Sequence, residues 1–165
     1  MRTARRRSER GGVSLRRALP GDAEALARLH RLTVRRSLAF LPDLHTPQED
    51  LWFFAHELLP KRDVRVAEID GEARAYVAFR PGWIDHLFVH PDHQGRGLGP
   101  RLLRLALADG TERRLWTFQK NLRARAFYEA RGFVLEALTD GAGNEEREPD
   151  ALYVWRAPAG ENSPR

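Results

Sequence analysis

The stretch Leu87-Phe-Val-His-Pro-Asp-His-Gln-Gly-Arg-Gly-Leu-Gly99 decides the fold. Trp83 to His90 is a β-like run, and Gly95, Gly97 and Gly99 then lead into leucines at 98, 102, 103, 105 and 107 that recur at helical spacing. A strand feeding a glycine-rich turn and a helix start gathers backbone N–H groups at the positive end of a helix dipole, which is a phosphate site. No Gly-Lys-Ser/Thr follows, so a nucleotide P-loop is excluded, and the glycine spacing does not match the G-x-G-x-x-G of dinucleotide folds.

Working outward, Val13 to Ala18 reads as a first strand and Ala23 to Phe40 as a helix. Thr46-Pro-Gln-Glu49 is a capping box with proline at the first helical position, opening a second helix through Leu51 to Leu59. Val64 to Ile69 and Ala73 to Phe79 alternate as strands around Asp70-Gly71, a type I′ hairpin dipeptide. The helix after the glycine turn ends at Asp109-Gly110. Arg114 to Gln119 is a strand, Asn121 to Arg131 a helix closed by Gly132, and Phe133 to Leu138 a strand that pairs with Ala151 to Arg156 across a long polar loop. The order βααβββαβαββ predicts an α/β (α+β) domain, a mixed, mostly antiparallel sheet flanked by helices.

These residues resemble the GNAT (GCN5-related N-acetyltransferase) superfamily, whose signature is a strand ending in Q/R-x-x-G-x-G/A. Asn121-Leu-Arg-Ala-Arg-Ala-Phe-Tyr128-Glu-Ala-Arg-Gly-Phe133 resembles its second motif. The resemblance covers about residues 13 to 156. It implies the GNAT fold, about seven strands and four helices, and acetyl transfer from acetyl-CoA as co-substrate to a primary amine by direct attack, without a metal. It assigns the coenzyme A pyrophosphate to the amides of Gln94, Gly95, Arg96, Gly97, Leu98 and Gly99, and the pantetheine arm to the backbone of Leu87, Phe88 and Val89. Asn121 joins the cofactor site. Tyr128, nearly two helical turns after Asn121 and on the same side, becomes the acid for the departing sulfur. Pro100 departs from the family, which often has a small hydroxyl residue there. It fits a first helical turn but donates no hydrogen bond.

An alkylamine must lose a proton before it attacks, and Asp85, two residues before Leu87 and so expected on its sheet face, is the candidate base. The alternative is an aspartate that holds a turn or an arginine. The resemblance places the acceptor between the first two helices and the last loop. The first region holds Asp43, His45, Glu49 and Asp50, and the second holds Asp140, Glu145, Glu146, Glu148 and Asp150 against Arg147. An acidic rim suits a small cationic amine, and a protein amine fits the same cleft. Trp52, Phe53 and Trp83 are candidate aromatic walls. His86, His90 and His93 do not have a metal clasp's spacing.

The 165 residues suit one domain at 13–158, with a disordered basic tail at 1–12 and a flexible tail at 159–165. Residues 1–12 carry +4 of the net +5, so the basic excess belongs to the tail and a nucleic-acid partner is not expected. The absence of cysteine excludes disulfides, thiolate metal sites and a cysteine nucleophile. No apolar run is long enough for a membrane span, and the expected location is the cytoplasm. A homodimer is compatible with the resemblance. The rival readings are a GNAT-like module that binds acetyl-CoA without turnover and a nucleic-acid-associated protein that uses the arginine tail.

Overall fold

The computed structural model describes residues 12–160, so the expected N-terminal tail, Gly12 apart, and the last five residues of the expected C-terminal tail lie outside the described residues. The chain runs β1 (Val13–Arg17), α1 (Ala23–Ser37) and α2 (Pro47–Phe53), which continues through a π-turn at Phe54–Leu58 into α3 (Leu59–Lys61). Beyond them lie β2 (Asp63–Ile69), β3 (Glu72–Arg80), β4 (Gly82–Val89), α4 (Leu98–Leu107), β5 (Arg113–Phe118), α5 (Leu122–Glu129), β6 (Val134–Leu138) and β7 (Asp150–Trp155). With α2 to α3 taken as one helix, the seven strands and four helices stand in the order read from the sequence.

Local chemistry accounts for the element ends. Thr46 accepts from the Glu49 amide while the Glu49 carboxylate accepts from the Thr46 amide, so the capping box opens α2 as expected. Asp70 and Gly71 both have positive φ, 54° and 78°, as a type I′ turn requires. Helix α1 stops short of Phe40 because Leu38 leaves the helical conformation, with its side chain buried.

The sheet order is β1-β2-β3-β4-β5-β7-β6, and β4–β5 is its parallel pair. Each face carries helices. On one, Leu98, Leu102, Leu103 and Ala106 of α4 pack on Ala75, Val77 and Ile84. On the other, Leu26, Ala27 and Leu29 of α1 and Phe54 and Leu58 of the π-turn pack on Val64, Val66, Tyr76 and Ala78. Burying a Leu or Phe side chain contributes about 1.5–3 kcal/mol, so these two apolar layers fix the sheet between them.

Two irregularities in β4 shape the candidate site. β4 pairs with β5 only at Gly82↔Arg113 and Trp83↔Arg114, after which the strands part. Against β3, the register steps from Ala78↔His86 to Phe79↔Ile84, so Asp85 is an extra residue, a β-bulge.

Candidate active site

The parting of β4 and β5 leaves backbone donors without a strand to receive them. The His90 amide bonds the Arg74 carbonyl at 2.7 Å, and the register is regular from there to His86. By the alternation of an antiparallel ladder, the amides of Phe88 and His86 also turn toward β3, whereas those of Leu87 and Val89 point into the gap. Of the three residues assigned to the pantetheine arm, Leu87 and Val89 therefore offer N–H groups. Phe88 lines the cavities on both sides of the strand, and its ring packs against His30, Tyr76 and His86.

The glycine turn closes one end of a cavity of about 410 Å³. Gly97 caps α4 with φ 85°, a left-handed conformation that L side chains rarely adopt, and Gly95 has φ 76°. Gly99 lies within contact range of Phe127, near 3.5 Å from where a Cβ would stand. The Gln94 side chain donates from Nε2 to the Val89 carbonyl at 3.1 Å, tying the turn to the end of β4. Gln94, Gly95, Gly97, Leu98 and Gly99 all line this cavity, but the exposed Arg96 does not. Pro100 sits in the first turn of α4, where no intrahelical bond needs its missing hydrogen.

Helix α5 forms the opposite wall. The Asn121 side chain accepts from the Ala124 amide at 3.2 Å, so it is an N-cap that also lines the cavity. Tyr128 is buried between Phe127 and Phe133, with ring centroids 5.2 Å away in each case. Burial holds its hydroxyl well above the ordinary tyrosine range, so the proton stays on oxygen until a strong base draws it off. The sequence reading missed Arg123 and Arg131, two exposed guanidiniums on this wall, together with His93 and the end of α1 at Thr33, Ser37 and Leu38. The two arginines lie inside the second motif, where its cluster of basic residues, Arg123, Arg125 and Arg131, was the available signal.

A second cavity, of about 610 Å³, lies across β4 and meets the first at Leu38 and Phe88. Its walls include Phe53, Phe54, Phe88, Trp116 and Phe118, and neither Trp52 nor Trp83 is among them. Six carboxylates face it, Asp43, Glu49, Asp50, Asp85, Glu145 and Glu146, against two guanidiniums, Arg31 and Arg35. Arg31 is held by Asp50 at 2.7 Å and Asp43 at 3.2 Å, and Arg35 by Asp43 at 2.6 Å, which leaves the wall with a net negative charge. Asp140, Glu148 and Asp150 of the expected rim do not line it. Asp150 instead accepts from Thr139 and from the Asn144 amide, shaping the β6–β7 loop. That loop touches the α1–α2 connection through His45 Nε2 and Glu145, 2.8 Å apart, and the contact raises the His45 pKa.

Asp85 requires a correction. The bulge shifts the alternation, so Asp85 does not share the face of Leu87 and Val89 but lines the second cavity beside His86. It is the arginine-holding aspartate of the alternative reading: Arg62 Nε stands 2.6 Å from Oδ2, and Arg80 spans both oxygens at 3.1 to 3.4 Å. Both of its oxygens are thus taken by guanidinium donors. The histidines also separate by role. His90 accepts from the Asp92 amide at 3.1 Å in the turn, while His86 reaches Tyr76 across the sheet face.

A strand parted from its neighbour, a glycine turn at a helix start and a tyrosine lining one cavity with them are the arrangement of an acyl-CoA transferase site. The Acetyltransferase (GNAT) family model matches residues 26–133, and the chain belongs to that family. An uncharacterized N-acetyltransferase of Archaeoglobus fulgidus is 37% identical over 101 residues, 52% of this chain and 68% of that protein. A probable N-acetyltransferase of Mycobacterium tuberculosis is 27% identical over 92% of this chain and 90% of its own length. Among solved structures, a putative acetyltransferase from Salmonella typhimurium with its cofactor acetyl-CoA superposes with a TM-score of 0.70 at 19% identity, covering 93% of this chain and 98% of that one. The protein is an acetyl-CoA-dependent N-acetyltransferase. No helix among the described residues is long and apolar enough to cross a membrane.

Proposed function

We propose that the chain transfers acetyl from acetyl-CoA to the primary amine of a small cationic acceptor by direct attack in one complex. The observation that carries this reading is the position of the Leu87 and Val89 amides, which open into the gap between β4 and β5 with the glycine turn at one end and Tyr128 opposite. In this reading the amides at 94–99 hold the pyrophosphate, with Arg123 and Arg131 adding charge at the opening. The two strand amides hold the pantetheine arm and stabilise the oxygen that gains charge at the thioester. Tyr128 gives its proton to the departing sulfur. The acceptor enters from the larger cavity, whose excess of carboxylates favours a cation and whose aromatic walls favour an apolar portion beside it.

A panel of amines, including polyamines, amino acids, amino sugars and peptides, tests this with acetyl-CoA and a thiol reagent. The chain contains no cysteine, so every thiol that appears is released coenzyme A. Mono-cationic and di-cationic amines are expected to turn over and acidic amines to fail. Preference for an acidic amine would overturn the acceptor assignment, and binding of coenzyme A without turnover of any amine would favour the sensor reading.

A further inference from the structure

Three side chains from three different elements meet beneath the larger cavity. Tyr76 of β3 is fully buried, and its hydroxyl lies 2.9 Å from His30 Nδ1 of α1 and 2.8 Å from His86 Nδ1 of β4. The two imidazoles stack at 5.1 Å, and both line the cavity. The Tyr76 oxygen has no other partner among the described residues, so its single proton must go to one of the two Nδ1 atoms, and the other Nδ1 must carry a proton to donate back. The rings are therefore held in opposite tautomers. One presents a bare Nε2 and the other an Nε2–H, and a shift of protons through the tyrosine exchanges the two. Neither Nε2 has a hydrogen-bond partner among the described residues, and neither is among the fully enclosed unpartnered atoms, so both open onto the cavity.

We propose that His86, Tyr76 and His30 form a relay that takes up the proton the acceptor amine sheds as it is acylated, with His86 Nε2 as the catalytic base. The proposal rests on the acetyl-transfer reading and supplies the base that Asp85, bound to two arginines, does not. Tyr76 and His30 are positioning groups that act through His86. As the amine nitrogen forms its bond to the acyl carbon and the carbon–sulfur bond breaks, the nitrogen loses a proton to His86 Nε2. His86 Nδ1 passes its own proton to the Tyr76 oxygen, the Tyr76 proton moves to His30 Nδ1, and His30 releases one from Nε2 to solvent. One proton enters and one leaves, and exchange with solvent in the emptied cavity resets the tautomers.

The surroundings favour this direction. Burial pushes both rings below the ordinary imidazole value, His86 to about 3 and His30 to about 4, so both are neutral near pH 7 and neither keeps a charge: a proton taken at one Nε2 has to leave from the other. Arg62 beside His86 opposes a resident charge there, whereas Asp50 beside His30 favours one, despite the neighbouring Arg31. The proton is thus drawn away from the acylation point. The other charged and titratable groups lining the cavity are Asp43 and His45 on the α1–α2 connection, Asp85 on β4, Arg35 on α1, Glu49 on α2 and Glu145 and Glu146 from the β6–β7 loop.

The test uses the full chain with acetyl-CoA and any amine from the panel that turns over. Tyr76→Phe, His86→Gln, His86→Ala and His30→Asn are compared with wild type for kcat, both KM values and the pH profile. Thermal melts and calorimetry with coenzyme A report folding and cofactor binding separately. Tyr76→Phe and His86→Gln are expected to lower kcat roughly 10²-fold with KM for acetyl-CoA unchanged. The deficit should narrow as pH rises, because hydroxide can then take the proton in place of His86, and free imidazole should restore part of the His86→Ala rate. Unchanged kcat and pH profile in folded Tyr76→Phe and His86→Gln would overturn the relay and leave acetyl transfer intact. A loss equal at every pH with no imidazole rescue would also overturn it, since the rings would then only shape the pocket. If the wild type acylates no amine at all, the acetyl-transfer reading fails and the relay fails with it.

Discussion

Replacing Tyr128 with phenylalanine removes one oxygen from a wall otherwise built of rings, and Phe127 and Phe133 keep the site packed. The expected result is a fall in kcat of roughly 10²-fold or more with coenzyme A affinity unchanged, measured by steady-state assay and calorimetry. The buried imidazoles add a prediction about acid. Folding lowers His30 from 6.5 to about 4 and His86 from 6.5 to about 3, so the unfolded chain binds more protons in that window. Stability therefore falls as pH drops below 6.5, by about 1.4 kcal/mol per pH unit for each ring at most. Melting temperatures between pH 7 and 5 should flatten in a His30→Asn, His86→Gln double variant. At this scale the second motif was legible, because Asn121 and Tyr128 stand on one helix face. Tyr76 was not, since a tyrosine in an alternating apolar strand reads as ordinary core and its two partners are 46 and 10 residues away.

Turns and bulges decide where these residues point. Gly97 starts α4 from a left-handed conformation, and alanine there costs about 1–2 kcal/mol while displacing the glycine turn that lines one end of the cavity. Gly97→Ala is expected to weaken coenzyme A binding in calorimetry more than it lowers the melting temperature. Gly141 is a harsher case: its φ is 81°, and an added Cβ would collide with the Glu148 backbone. Gly141→Ala should distort the β6–β7 loop and raise KM for the amine more than KM for acetyl-CoA. The glycine turn, the capping box and the Asp70-Gly71 hairpin were readable because each is a local pattern with its own chemistry. The bulge at Asp85 was not. It arises from the register between β3 and β4, and one extra residue moved the carboxylate to the opposite face from the one alternation predicts.

Two cavities lie on either side of one strand, the one at the glycine turn on one side of β4 and the acidic one on the other, and the proposed function gives the coenzyme A phosphates to the first and the amine to the second. Element order and helix count could be read from hydrophobic periods. The insertion of β7 between β5 and β6, and the early end of the β4–β5 pairing, could not, because both depend on contacts between segments tens of residues apart. The parted strands also bear on the stability of the loaded protein. An extended amide-bearing chain seated there would act as a missing rung of the ladder, completing for Leu87 and Val89 what β5 leaves undone. Amide hydrogen exchange at these two residues should be fast in the free protein and slow with coenzyme A, while Phe88, already bonded within the sheet, changes little. The enzyme would then be a sheet whose last internal seam is sewn by its own co-substrate.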